Sequence, residues 1–192
     1  MLNKNLIKKI EVKKRIIEEL LSLLKNPVTS FGLTVSLPNE DNILEWEAKL
    51  MGPNDTSYKD GIFVLKVEFP KDYPMKPPEI FFKTPIYHVN VNPKISDIPE
   101  AKPLGHICIS TLNWWKPEFT MREVFSSIFA LFYMGNPDNP YSFERAEEYK
   151  NNQNLFQQKV KYFTQKYANP LYANIHQDYN ESWNFDDYEE NL

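Results

Sequence analysis

The stretch Ile62-Phe-Val-Leu-Lys-Val-Glu-Phe-Pro70-Lys-Asp-Tyr-Pro74-Met-Lys-Pro77-Pro78-Glu-Ile-Phe-Phe82 decides the fold class. Its first part places apolar residues at every second position, which predicts a half-buried strand. The prolines that follow fix φ and cannot donate to a sheet, so residues 70–78 are expected to form a stiff connector. Residues 79–83 then return as a second, shorter strand.

The same period of two occurs twice upstream of this stretch. It involves Leu33, Val35 and Leu37, then Leu44, Trp46, Ala48 and Leu50, with turn residues between the runs. Helical patterns lie outside this region, at residues 4–25, from the capping box Thr120–Glu123 to about Met134, after Ser142, and at residues 152–167. The predicted fold is therefore α+β: an N-terminal helix, a four-stranded antiparallel meander, then three helices.

The first helix is predicted to be amphipathic with a basic face. Its apolar stripe is expected to consist of Leu6, Ile10, Ile17, Leu20, Leu21 and Leu24. The basic face is either a solvated surface or a docking surface for an acidic partner.

The net charge of −4 conceals two ends of opposite sign. Residues 1–25 hold seven Lys/Arg against three Glu, whereas residues 176–192 hold six acids and no Lys or Arg. An isoelectric point near 5.5 argues against a nucleic-acid partner.

The longest nearly apolar run, residues 124–134, is too short to cross a bilayer, and no secretory leader is visible. We therefore expect no membrane partner and a cytoplasmic or nuclear location.

The single cysteine, Cys108, lies in residues 87–117, where no regular element is predicted. A segment of that length is usually functional. One cysteine and three scattered histidines exclude a disulfide within the chain and favour no metal site. Cys108 is either a packing residue or a nucleophile. His106 would share its face in an extended chain, which leaves a Cys–His thiol hydrolase open.

Five ordered motifs within residues 15–169 resemble the catalytic core of ubiquitin-conjugating enzymes. They are Phe69–Pro78, Tyr87–Asn90, Gly105–Cys108, Trp115–Pro117 and Asn136–Pro140. The resemblance implies that Cys108 accepts ubiquitin, or a ubiquitin-like protein, as a thioester from an activating enzyme and passes it to a lysine or to a ligase cysteine. No cofactor is implied, because ATP is consumed by the activating enzyme. Non-catalytic ubiquitin-binding relatives lack the cysteine, so Cys108 argues against that alternative.

The resemblance also implies roles for residues around the cysteine. Asn90 matches the residue whose amide either stabilises the oxyanion or braces the neighbouring loop. His88 and Tyr87 are expected to support the site. Asn139 stands where many members carry a carboxylate beside the acceptor lysine, so either Asp138 substitutes for it or activation depends on the ligase or substrate.

Docking surfaces follow from the same resemblance. An acidic domain of the activating enzyme would meet Lys13, Lys14 and Arg15. A ligase would contact the first helix and two loops, at Arg15, Met75, Pro117 and Glu118. Methionine at position 75, where many members carry phenylalanine, favours RING or U-box ligases.

Besides Asn139, the chain departs from the family pattern in two further places near the cysteine. Val89 replaces the proline of the His-Pro-Asn motif. An insertion within residues 92–104 is either a tolerated surface loop or a border of the thioester cleft that screens acceptors.

Three segments are predicted: a basic helical extension at residues 1–14, the conjugating core at 15–169, and an acidic aromatic tail at 170–192. The tail is either solvated or steers the enzyme toward a cullin-based ligase. Residues 152–158 resemble conjugating enzymes for the ubiquitin-like protein NEDD8, so the modifier stays open.

Overall fold

The computed structural model describes residues 4–93, 102–170 and 183. Helix α1 (Lys4–Lys25) and a 3₁₀ turn (Thr29–Phe31) precede the strands β1 (Thr34–Ser36), β2 (Glu45–Met51), β3 (Ile62–Glu68) and β4 (Glu79–Phe82). The helices α2 (Ser110–Asn113), α3 (Met121–Leu131), α4 (Phe143–Asn151) and α5 (Gln153–Tyr167) follow. The predicted α+β order is confirmed. The single turn α2 is additional, because it lies in the segment for which no regular element was predicted.

The sheet is an antiparallel meander in the order β1-β2-β3-β4. Trp46, Ala48 and Leu50 of β2 stand opposite Val67, Leu65 and Phe63 of β3. All six side chains are fully buried. The period of two in the sequence therefore identified the face of the sheet that forms the core.

The connector between β3 and β4 is anchored from two sides. Tyr73 is buried, and its hydroxyl donates to Glu19 Oε1 on α1 at 3.3 Å. Trp115 Nε1 donates to Pro74 O at 2.6 Å. The connector therefore joins α1 to the segment that precedes α3.

The bounds of α1 match the prediction, but the predicted apolar stripe is not the face that packs against the core. The buried side carries Val12, Ile16, Glu19 and Leu23. The predicted stripe lies on the opposite side, where Leu6, Ile10, Ile17, Leu21 and Leu24 are 44–57% exposed. Only Leu20 of that set packs partly against the core. Apolar residues occupy two sides of this helix. The buried side packs Val12, Ile16 and Leu23 into the core, and the Glu19 carboxylate on that side accepts from Met121 N and Tyr73.

Helix α3 begins at the predicted capping box. Thr120 Oγ1 accepts from Glu123 N, and the Glu123 carboxylate accepts from Thr120 N at 2.7 Å. The helix ends at Leu131 rather than near Met134, and its buried side packs Met121, Val124, Phe125 and Ile128 into the core. No helix in the described ranges is long and apolar enough to cross a membrane.

Candidate active site

Cys108 lies on an extended segment that is fixed from both sides. On one side, Ile107 N donates to Ile80 O of β4 at 3.3 Å, and on the other Cys108 N donates to Asn90 O at 2.9 Å. Gly105 has φ +76°, and a Cβ there would lie 2.1 Å from Phe82 O, so only glycine fits. The thiol itself is half-buried. The backbone thus places Sγ at the surface with little freedom.

Two side-chain amides face the sulfur. Asn113 Nδ2 lies 3.4 Å from Cys108 Sγ, and Asn139 Nδ2 lies 3.3 Å from it. Asn113 is the last residue of α2, and Asn139 belongs to the loop after α3. Asn139 was predicted as a site residue, for the acceptor lysine. Asn113 was missed, because a four-residue helix leaves no periodic pattern in the sequence.

Asn90 braces the loop that carries Asn139. Its Nδ2 donates to Asn136 O at 2.9 Å and to Asn139 O at 3.0 Å, while its Oδ1 accepts from Asn136 N at 2.7 Å. An amide has two N–H donors, so both are used by the loop. Of the two roles that the resemblance left open, this geometry favours bracing.

His88 is a neutral structural residue. Its Nδ1 accepts from Asn90 N at 3.0 Å, so the proton resides on Nε2, which faces Leu131 O at 3.0 Å. Burial lowers the pKa of His88 to about 4, and the nearby Arg145 guanidinium also lowers it. His88 therefore holds the turn before Asn90.

Tyr87 connects this turn to the last two helices. Its hydroxyl donates to Glu148 Oε2 at 2.7 Å, and its ring stacks on Phe163 with centroids 5.5 Å apart. Arg145 Cζ lies 4.3 Å from the ring centroid. Burial raises the pKa of Tyr87, and the bond to Glu148 adds to the effect. Tyr87 thus supports the site at a distance from the thiol.

His106 is paired with Tyr141. The two groups lie 2.6 Å apart, from His106 Nδ1 to the Tyr141 hydroxyl. Burial, with Lys102 nearby, lowers the pKa of His106 to about 4, and burial near Cys108 raises the pKa of Tyr141 to about 12. Within the described ranges no hydrogen bond joins His106 to Cys108. The geometry therefore does not provide the Cys–His pair of a thiol hydrolase.

Asp138 is engaged elsewhere. Its carboxylate pairs with Lys150 Nζ at 2.8 Å, and its backbone N–H donates to Asn136 Oδ1 at 3.1 Å. The neighbouring Asn139 amide, rather than this carboxylate, faces the thiol.

An open groove runs from the thiol toward the end of α3. It has a volume of about 400 Å³ and is lined by residues that include Cys108, Ser110, Ser127, Leu131 and Met134. The groove therefore provides open space beside Cys108.

Sequence comparisons agree with this geometry. The family model for ubiquitin-conjugating enzymes matches residues 15–164. The chain belongs to the ubiquitin-conjugating enzyme family. A probable ubiquitin-conjugating enzyme E2 31 from Arabidopsis thaliana is 41% identical over 132 residues, which cover 68% of this chain and 79% of the relative.

The three residues of this ubiquitin-conjugating enzyme that were predicted to bind an activating enzyme differ in exposure. Lys13 and Lys14 are exposed on α1. Arg15 is partly buried, because its guanidinium pairs with Glu19 at 2.7 Å and donates to Phe119 O at 3.1 Å. Arg15 therefore also joins α1 to the loop before α3.

The elements predicted to meet a ligase come together at one end of this conjugating enzyme. Met75 is 68% exposed and directly follows Pro74, whose carbonyl binds Trp115. Glu118 is exposed, and Pro117 is half-buried. The contact of Arg15 with Phe119 brings α1 to the same place. Whether these residues bind a ligase stays a prediction.

The ends of the predicted insertion are joined beside the conjugating enzyme's thiol. Asn92 Nδ2 donates to Lys102 O at 2.6 Å and to Pro103 O at 3.0 Å, and Gly105 N donates to Asn92 O at 2.9 Å. We call these contacts the neck. Residues 94–101 of the insertion lie outside the described residues.

The predicted tail, residues 170–192, is described only at residues 170 and 183. Trp183 is 8% exposed and belongs to the hydrophobic core. The predicted boundaries of the helical extension, the core and the tail stay predictions.

Proposed function

We propose that this ubiquitin-conjugating enzyme carries ubiquitin as a thioester on Cys108. Ubiquitin would arrive from an activating enzyme and leave to a substrate lysine with the help of a ligase. The observation that carries the proposal is half-buried Cys108 in the lining of the groove beside α3, with two amides facing its sulfur. A thioester has to survive until the acceptor arrives, which suits a thiol without a paired histidine.

Loading exchanges one thioester for another. The Cys108 thiolate attacks the carbonyl carbon of the ubiquitin thioester on the activating enzyme, a new C–S bond forms, and the old bond breaks with its electron pair on the activating enzyme's sulfur. One thioester bond breaks and one forms, so the number of thioester bonds is unchanged and this step needs no ATP of its own. We infer that the enzyme has no cofactor.

Transfer to lysine releases a proton. His88 donates to Leu131 O and His106 is held by Tyr141, so neither ring is aimed at the acceptor. We infer that the proton passes to water or to a group of the ligase or substrate. Lysine transfer would therefore depend strongly on the ligase.

The partners that fit this proposal are an activating enzyme and a RING or U-box ligase in the cytoplasm or nucleus. Exposed Lys13 and Lys14 support an acidic partner on α1, and exposed Met75 supports a ligase at the connector. Six acids in residues 176–192 support a basic partner, such as a cullin-based ligase.

Incubation with activating enzyme, ATP and ubiquitin tests the central proposal. We expect a band shifted by one ubiquitin that a reductant removes. Cys108→Ala should give no band, and Cys108→Ser should give a band that resists the reductant, because an ester replaces the thioester. A wild-type chain that forms no thioester with any modifier would defeat the proposal.

The choice of modifier is tested by parallel reactions. Ubiquitin with its activating enzyme and NEDD8 with its own are each offered to the chain. A thioester with NEDD8 alone would assign the enzyme to that ubiquitin-like modifier. Non-covalent binding of ubiquitin without a thioester would favour a binding module.

The tail is tested by two truncations. Removal of residues 184–192 eliminates four acids and keeps Trp183, whereas removal of 177–192 also eliminates that buried side chain. If the tail attracts a basic partner, removal of residues 184–192 should slow ligase-dependent transfer at low salt and not at high salt. No change at either salt concentration would leave the tail without a steering role.

A further inference from the structure

The thiol has hydrogen-bond donors that the family's active-site asparagine does not supply. Asn113 Nδ2 and Asn139 Nδ2 lie 3.4 and 3.3 Å from Cys108 Sγ. We propose that these two amides stabilise the negative charge on Sγ when the thiolate is the leaving group, which makes Asn113 a catalytic residue of this enzyme. The inference rests on the proposed thioester function.

The transfer step places charge on the atom that the two amides contact. The amine attacks the thioester carbonyl carbon, a C–N bond forms, and the C–S bond then breaks with its electron pair on Sγ. The extra proton of the amine passes to water. Hydrogen bonds to a charged acceptor are stronger than those to a neutral one, so the two donors bind the departing thiolate better than the thioester sulfur. Such differential binding lowers the barrier.

The two amides are available for this role, whereas that of Asn90 is not. Within the described residues, Sγ is the hydrogen-bond partner of both the Asn113 and the Asn139 side chains. Asn90 gives both of its N–H donors to Asn136 O and Asn139 O. Asn90 is therefore a positioning residue that acts through Asn139.

Hydrogen bonds of the surrounding structure fix the backbone of the turn that carries Asn113. Its backbone N–H donates to Ile109 O at 3.0 Å, and Trp114 N donates to Ser110 O at 2.8 Å. Thr111 Oγ1 lies 2.7 Å from Ser127 Oγ and thereby joins α2 to α3. Because this turn is fixed, the exposed Asn113 amide already lies beside Sγ, and the backbone that carries it needs little reorganisation during the reaction.

A different role for these amides would be to orient the acceptor lysine. The two roles are separable, because every acceptor expels the same thiolate from Cys108. Donors on Sγ should affect transfer to an amine and to a small thiol alike. A group that orients lysine should affect the amine alone.

The test is single-turnover discharge of the full chain, loaded with ubiquitin and then depleted of ATP. Loss of thioester is followed with free lysine and, separately, with glutathione. We expect Asn113→Ala and Asn139→Ala each to slow both reactions by about tenfold. Asn113→Asp keeps the side-chain size but has no N–H donor, so it should slow both at least as much. Asn154→Ala, at an exposed position of α5, is the matched control and should discharge like wild type.

Two results would overturn the inference: discharge of Asn113→Ala and Asn113→Asp at the wild-type rate, or slowing with lysine but not with glutathione. The aspartate variant keeps the test valid if the alanine variant does not fold. Because all rates are measured on chain already loaded, these results differ from failure of the proposed function, in which the wild type forms no thioester.

Discussion

The side chain of Asn90 and the backbone of Asn136 exchange two hydrogen bonds, of 2.9 and 2.7 Å. Since Asn90 is also buried, this pair connects the turn before the insertion to the loop that carries Asn139. Loss of the pair should be visible as a loss of stability, independent of any chemistry.

We expect Asn90→Ala to lower the free energy of unfolding by about 2 kcal/mol, because Asn136 N and two loop carbonyls lose their buried partner. Urea unfolding measures this value. Asn90→Asp is the control: its carboxylate still accepts from Asn136 N but cannot donate, so it should also be destabilising. An Asn90→Ala chain as stable as wild type, but slow in transfer, would instead support a direct role at the oxyanion.

The buried face of α1 is tested by two neighbouring residues. Ile16 is fully buried, and Ile17 is 44% exposed. We expect Ile16→Ala to cost about 3 kcal/mol of unfolding free energy, whereas Ile17→Ala should change it by less than about 0.5 kcal/mol. Chemical denaturation of both variants is sufficient. Equal losses would show that the predicted stripe also packs against the domain.

The basic residues of α1 should separate into docking and structural groups. A double Lys13→Glu, Lys14→Glu variant should load more slowly from the activating enzyme, with a defect that shrinks at high salt and an unchanged melting temperature. Arg15→Ala should lower the unfolding free energy by about 1–2 kcal/mol, because it leaves Glu19 short of a partner. If the loading defect of the Lys13→Glu, Lys14→Glu variant did not depend on salt, that result would argue against this docking surface.

Acid should destabilise the fold through the buried histidines His88 and His106. The pKa values of His88 and His106 fall from 6.5 to about 4 on folding. Above pH 7 both are neutral in the folded and unfolded chain. Below pH 6.5 both histidines become protonated in the unfolded chain, whereas in the folded chain they stay neutral until about pH 4. The free energy of unfolding therefore decreases as the pH falls from 6.5 to about 4.

For buried His88 the loss between pH 7 and 5 is about 2 kcal/mol, and it should be smaller for His106. Unfolding free energies measured at several pH values test this. His88→Gln, which retains an N–H for Leu131 O, should flatten the pH dependence. An unaltered slope in that variant would contradict the assignment.

The insertion should be removable without unfolding the chain. Replacement of residues 94–101 by two glycines keeps the neck, including Lys102 O, and should leave the melting temperature and loading unchanged. If the insertion borders the cleft, the choice among acceptor lysines should change, as peptide mapping of the products would show. Unchanged lysine selectivity and discharge rate would identify a tolerated surface loop.

The sequence predicts some levels of this structure well and others poorly. The meander was recognisable because apolar Trp46, Ala48 and Leu50 alternate with polar residues. Such alternation indicates a strand with one buried face and fixes which residues lie on that face. Helix α1 was recognisable as a helix, but its packing face was not, since Ile16 and Ile17 are equally apolar and only tertiary contacts choose between them.

The site shows the same limit. Motifs identify Cys108 and Asn90, but a side chain's hydrogen-bond partners depend on where loops meet. Asn90 is occupied by Asn136, and Asn113 faces the sulfur only because a single turn of helix forms after Ile109. A turn that short has no stability of its own and no sequence pattern.

The neck has a consequence for how this enzyme can vary. Asn92 Nδ2 donates to Lys102 O and Pro103 O, so the described residues on either side of positions 94–101 are hydrogen-bonded to each other. Exchanging residues 94–101 while these hydrogen bonds are kept should leave the thiol of Cys108 in its position. If the insertion borders the cleft, loop grafting at this position should change the choice of acceptor while the machinery for loading stays constant, and a peptide that binds a chosen substrate could be inserted there.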